Sequence, residues 1–160
     1  MLFRSLAWAC ARAGWTYVTD DGTWLLTQME DRTALGRCRS IRFRENAADL
    51  FPELGEYISR ARPNGKISIE VALDAFPHIR TASRCRVGAV VLLDRRDGVE
   101  TSAQPVAAAE AIERLLRDMP WYGDDVRAMY ERTAGRLLEV PAYRLTYENL
   151  DQAVALLSNL

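Results

Sequence analysis

The 160-residue chain lacks several features that mark particular classes of protein. Its longest apolar run, residues 87–93, is far shorter than the ~20 residues of a membrane-spanning helix. Cys10, Cys38 and Cys85 are odd in number and form no CxxC pair, which fits neither a disulfide framework nor a zinc site. We therefore expect reduced thiols, a cytoplasmic location and no membrane partner.

Neither sign of charge is in excess, since 21 Lys+Arg face 22 Asp+Glu. A general nucleic-acid-binding protein normally has a basic excess or a clustered basic face, so no nucleic-acid partner is predicted. A local basic run is interpreted as the solvated surface of an edge strand, because charged residues commonly protect such edges; it consists of Arg37, Arg39, Arg42 and Arg44. Lysine is almost absent, with Lys66 the only one.

The length and the 49% hydrophobic content predict one domain spanning residues 1–160, and the chain contains both helical and strand periodicities. Helices are predicted over Ser5–Ala13, from Pro105 to Pro120, over Val126–Leu138 and from Asn149 to Leu157. Strands are predicted near residues 15–19, 23–27, 66–71, 86–94 and 141–147, and the run at 86–94 is typical of a strand covered on both faces. Together these elements predict an α/β fold with a mixed central sheet and helices on its faces.

Two adjacent acids, Asp20 and Asp21, follow the first predicted strand, and strand ends are where α/β proteins place ligands. One carboxylate of such a pair can accept a proton or orient a nucleophile while the other holds hydrated magnesium. Acid, acid and glycine also form a common turn. On the residues alone, both interpretations remain open.

A second set of polar residues lies on the strand predicted at 66–71. Side chains alternate along a strand, so Lys66, Ser68 and Glu70 share one face. A lysine and a glutamate on one face can meet a phosphate and its metal ion respectively. A solvated strand face is the alternative.

The phosphate-binding loop G-x-x-x-x-G-K-[ST] is absent from the sequence. Its closest approach is Gly65-Lys66, where Arg60 stands in place of the first glycine and Ile67 in place of the hydroxyl residue. The sequence therefore predicts no internal phosphate loop.

Several segments, taken in order, nevertheless resemble the HPr kinase/phosphorylase-related proteins, whose nucleotide-binding core is shared with phosphoenolpyruvate carboxykinases. The resemblance covers nearly the whole chain from Ser5 onward. It is carried by SLAWACARAG at 5–14, TYVTDDGTWL at 16–25, FPEL at 51–54, RPNGKISIEV at 62–71, VGAVVLLDR at 87–95 and PAYRLTY at 141–147.

The resemblance implies a set of site residues. Asp20 and Asp21 match the family's acidic pair, one of which takes the proton from a serine hydroxyl, and Asp21 with Glu70 would contact magnesium. Lys66 and Arg80 would contact phosphate. The family's Glu-x-Arg-Gly-Leu-Gly-like signature is not matched after Glu70, which argues against phosphorolysis and against HPr as substrate.

In the family, the helix that resembles Ser5–Ala13 directly follows the phosphate loop, whose place is taken here by residues 1–4. The expectation is therefore a C-terminal fragment of an ATP-dependent serine kinase-like domain that lacks its first strand and loop. ATP and Mg²⁺ would serve the full-length parent, with weak or no nucleotide binding and no activity in this chain. A catalytically silent binding or regulatory module of the same fold is the alternative. The phosphoacceptor stays unidentified, and a homo-oligomer remains possible.

Overall fold

The computed structural model describes residues 3–20, 22–26, 32–120 and 122–160. The chain divides into two compact units, the first comprising Met1–Thr23 and Gly36–Ser83 and the second Trp24–Leu35 and Arg84–Leu160. The expectation of one domain stays a prediction.

The described residues form nine strands and four α-helices, joined by loops and short 3₁₀ turns. In chain order the elements are α1 Phe3–Arg12, β1 Thr23–Leu25, β2 Thr33–Gly36, β3 Ser40–Phe43, β4 Arg60–Ala61, β5 Ile67–Ala72, β6 Arg84–Arg86, β7 Val90–Arg95, β8 Ser102–Pro105, α2 Ala108–Arg117, α3 Asp124–Leu137, β9 Ala142–Tyr147 and α4 Leu150–Leu157. The 3₁₀ turns are Glu45–Asp49, Pro52–Leu54 and Leu73–Ala75.

The strands pair into three small sheets among the described residues, where the sequence predicts one central sheet. Their strand orders are β1-β2-β6, β3-β5-β4 and β7-β9-β8. The β3-β5-β4 sheet is antiparallel and lies in the first unit. The β7-β9-β8 sheet is mixed, because β9 pairs parallel with β7 and antiparallel with β8. The predicted mixture of α-helices and β-strands is confirmed.

The core of the first unit forms where α1 packs against β3. Trp8 is fully buried, and its ring meets Phe43 and Phe76 edge to face with centroids 5.6 and 5.1 Å apart. Its indole N–H donates to Glu53 Oε1 at 3.2 Å. The helix ends before Gly14, whose φ of 92° suits the left-handed turn that commonly terminates helices.

The second unit packs α2 against α3 and α4 against β8 and β9. Leu145 and Tyr147 of the middle strand β9 are fully buried. Helix α4 begins as predicted, since the Asn149 side chain accepts hydrogen bonds from the N–H groups of Asp151 and Gln152 at 2.9 and 3.0 Å.

Three strand and helix predictions differ from the structure. Residues 15–19 form only an isolated bridge, Tyr17 to Thr81. The apolar run at 86–94 divides into β6 and β7. Because β7 is an edge strand of its sheet, its side chains are mostly half-buried. Pro105 ends the unpredicted strand β8, and α2 begins three residues later.

Within the described residues, every α-helix is too short or too polar to cross a bilayer.

Candidate functional site

Asp20 is part of a buried ion pair in the first unit. Its Oδ2 lies 3.3 Å from Arg4 Nε, and the side chains of Arg4 and Asp20 are only 13% and 8% exposed. The backbone N–H of Arg42 points at the same carboxylate oxygen from 3.5 Å, and the Arg42 carbonyl accepts from Arg4 at 3.3 Å. Arg4 and Asp20 therefore contact the backbone of β3 along the edge that does not pair with β5.

Tyr17 lies beside this pair and is 4% exposed. Burial and the neighbouring Asp20 carboxylate raise the pKa of Tyr17, because both disfavour a second negative charge. The predicted exposed strand end is thus wrong for Asp20, which lies in a tightly packed polar cluster.

Glu70 lies on the solvent face of the β3-β5-β4 sheet, opposite Arg42 in the strand register. Its two carboxylate oxygens accept from Arg42 Nε at 2.9 Å and Nη2 at 3.3 Å, and Ser40 Oγ donates to Oε1 at 3.2 Å. The hydrogen bonds from Arg42 hold the pKa of Glu70 below its usual range. Arg42 thus meets Asp20 through its backbone and Glu70 through its side chain.

A pocket of about 510 Å³ opens where β3 ends and β5 begins, and we call it the basic pocket. The two strands are antiparallel and pair Phe43 with Ile69, which brings these ends together. Its lining consists of Arg4, Phe43, Arg44, Glu45, Asn46, Arg62, Lys66, Ile67 and Ser68.

A tight turn places two of the cations of the basic pocket. The Arg62 N–H donates to the Lys66 carbonyl at 3.0 Å, and the Gly65 N–H donates to the Arg62 carbonyl at 2.8 Å. Gly65 has a φ of 76°, a conformation that glycine adopts readily. The turn at residues 62–65 therefore brings Arg62 and Lys66 to one pocket.

The basic pocket has four cationic side chains and one carboxylate, that of Glu45. Arg44, Arg62 and Lys66 form no ion pair with any acid in the described part of the chain. Three cations without an ion-pair contact around one concavity form a field that attracts anions, and Arg62 also acts on the Glu70 carboxylate at longer range.

A groove in the second unit, about 320 Å³, gives the contrasting case. Each of its arginines is paired with an acid: Arg96 with Asp94, Arg114 with Asp118, Arg117 with Glu113 and Arg144 with Glu110. All four arginines of this groove thus have ion-pair partners, and the basic pocket remains the candidate site.

The residues predicted from sequence divide among several locations. Lys66 lines the basic pocket. Asp20 is not part of the lining, but it contacts the lining residue Arg4. Arg80 lies away from the pocket lining, because its guanidinium donates to the Gly14 carbonyl just after the C-terminal end of α1. The prediction for Asp21 falls outside the described residues.

Arg4, Arg44 and Arg62 line the pocket but were not among the predicted site residues. Arg44 is exposed and directly follows β3, a strand at the edge of its sheet, which agrees with the predicted solvated edge. A usable signal is that Arg62 and Lys66 flank one turn signature, Pro-Asn-Gly. Arg4 and Arg44 come from separate segments and carry no comparable signal.

No protein-family model matches this chain, and neither a curated protein nor a solved structure matches it.

Proposed function

We propose that the chain binds the phosphate groups of a nucleotide in the basic pocket, as the nucleotide-binding part of an HPr kinase-like core. The observation that carries the proposal is the set of three unpaired cations, Arg44, Arg62 and Lys66, around one pocket. Arginine and lysine are the side chains that most often bind phosphate, through charge-assisted hydrogen bonds.

The size and lining of the pocket also support a nucleotide. A volume of about 510 Å³ lies within the range of small-molecule sites. The side chains of Asn46 and Ser68 add neutral hydrogen-bonding groups, and Ile67, which is 48% exposed, adds an apolar surface. A ligand with both phosphates and an apolar ring matches this combination.

In its wider form, the proposal is that the parent protein transfers phosphate from ATP to a hydroxyl group of an unidentified acceptor. The resemblance to HPr kinase/phosphorylase-related proteins and their phosphoenolpyruvate carboxykinase-like core supports this form. Asp20, which the resemblance makes a proton acceptor, contacts the pocket only through Arg4. The geometry therefore favours ligand binding over catalysis in this chain.

We expect the affinity for ATP to be weak. Most phosphate-binding loops hold their ligand through converging backbone N–H groups, whereas the basic pocket offers long, flexible side chains that lose rotamer freedom on binding. A dissociation constant on the order of 0.1–1 mM is expected, which corresponds to roughly −4 to −5.5 kcal/mol.

Replacing Lys66 or Arg62 with alanine should weaken ATP binding by about tenfold, because each removes one charge-assisted contact of roughly 1.5 kcal/mol. The measurement is a titration of the ¹⁵N-labelled chain with ATP, followed by NMR at low ionic strength. Arg37→Ala is the matched control: Arg37 is exposed, belongs to the first unit and lies outside the pocket. Equal losses of ATP affinity in all three variants would show that only the net charge of the chain matters, which would contradict the proposal.

A further inference from the structure

We propose that the basic pocket binds the polyphosphate as its magnesium-free anion, with side-chain cations in the role that the metal ion fills in most nucleotide sites. This inference rests on the proposed function, since it specifies the ionic form of the ligand. It departs from the family resemblance, which implies magnesium held by carboxylates. The departure comes from the partners that the described carboxylates already have.

Glu70 does not fit the role of a magnesium ligand. Both of its oxygens are occupied by the Arg42 guanidinium, at 2.9 and 3.3 Å, and Ser40 donates to one of them. Magnesium demands near-ideal octahedral oxygen ligation and usually takes one or two carboxylates with the phosphates of the substrate. Binding at Glu70 would place the metal ion against a guanidinium and would break two charge-assisted hydrogen bonds.

Asp20 does not fit the role either. Its carboxylate is 8% exposed, lies 3.3 Å from Arg4 Nε and is absent from the pocket lining. A metal ion would have to displace the arginine that stands between Asp20 and the pocket. Within the described residues, no group of three or more His, Cys, Asp and Glu side chains is arranged to hold a metal ion.

Glu45 is the one described carboxylate that lines the pocket, and four cations surround the same space. A divalent cation entering with the nucleotide would be repelled by those side chains. Free ATP carries more negative charge than its magnesium complex and therefore complements the pocket better. The surplus of cations, with the described carboxylates Glu70 and Asp20 already engaged, favours the free anion; Asp21, the other metal ligand that the resemblance implies, lies outside the described residues.

The test compares ATP in EDTA with ATP in excess Mg²⁺, at matched ionic strength, by NMR titration of the full chain. Free ATP is expected to bind about tenfold more tightly than the magnesium complex, since its larger charge faces cations that have no ion-pair contact. Equal affinity, or tighter binding with magnesium, would overturn the inference and leave phosphate binding in this pocket intact. Absence of binding in both conditions would contradict the proposed function and this inference together.

Two variants locate any effect of magnesium. Glu45→Gln and Glu70→Gln should each preserve the preference for free ATP, because neither carboxylate holds a metal ion in this account. Loss of affinity for the magnesium complex alone in either variant would identify that residue as a metal ligand and overturn the inference. Asp49→Asn controls for the same gain of one positive charge, because Asp49 is exposed, belongs to the same unit and lies outside the pocket lining.

Discussion

Replacing Trp8 with alanine is expected to lower the free energy of unfolding by about 3–5 kcal/mol, the usual cost of removing a large buried aromatic side chain. Trp8 is fully buried and meets Phe43 and Phe76 edge to face. The substitution leaves a cavity between α1 and β3 and removes the hydrogen bond from the indole to Glu53. Urea titration followed by far-ultraviolet circular dichroism measures the change.

Trp15→Ala is the matched control, because it removes the same side chain from the surface of the same unit. Trp15 is 42% exposed. Its cost should stay below about 1 kcal/mol, as for most substitutions away from the core. Similar losses for the two variants would show that Trp8 does not lie in the core of the first unit.

Replacing Asp20 with asparagine is expected to lower the free energy of unfolding by about 2–3 kcal/mol. The substitution removes a negative charge that is 8% exposed and lies 3.3 Å from Arg4 Nε. Removing one partner of a buried ion pair takes a favourable interaction from the other charge in a region of low dielectric, where such interactions are strong. Urea titrations of D20N and of wild type measure the loss.

Asp49→Asn provides the control, since Asp49 is exposed and lies in the same unit. It should change stability by less than about 0.5 kcal/mol. A double-mutant cycle with Arg4→Leu adds a second readout, and the combined variant should be less destabilised than the sum of the two single variants. If D20N matched D49N in stability, Asp20 would lie at an exposed strand end, as the sequence alone predicts.

Elements with a clear hydrophobic period were predictable from the sequence. Helices α1, α3 and α4 and strands β5 and β9 lie close to their predicted ranges, because the burial of one face imposes a regular spacing. Residues 15–19 have strand-like composition but only one bridge, since strand formation depends on a partner that composition does not reveal. Strand β8 was not predicted, because Pro105 was interpreted as the start of a helix. Pro105 instead ends an edge strand, a position that tolerates proline.

The candidate site was only partly predictable for the same reason. Lys66 and Arg62 flank a turn with a strong local signature, so their proximity follows from neighbouring residues. Arg44 reaches the same pocket through the register of β3 on β5, which is a long-range pairing. Asp20 was predicted to be an exposed acid at a strand end. Its side chain is instead buried against Arg4, which is sixteen positions away in the sequence.

Protection of Lys66 by nucleotide tests the central claim most directly, because Lys66 is the only lysine in the chain. The intact chain is treated with an amine-reactive acetylating reagent with and without several millimolar ATP, and acetylation at Lys66 and at the α-amino group is followed by mass spectrometry. If phosphates bind in the basic pocket, ATP should slow acetylation of Lys66 severalfold, because a bound phosphate screens and occupies the ammonium, while labelling of the α-amino group keeps its rate. Acetylation of Lys66 at the same rate with and without ATP would contradict the account.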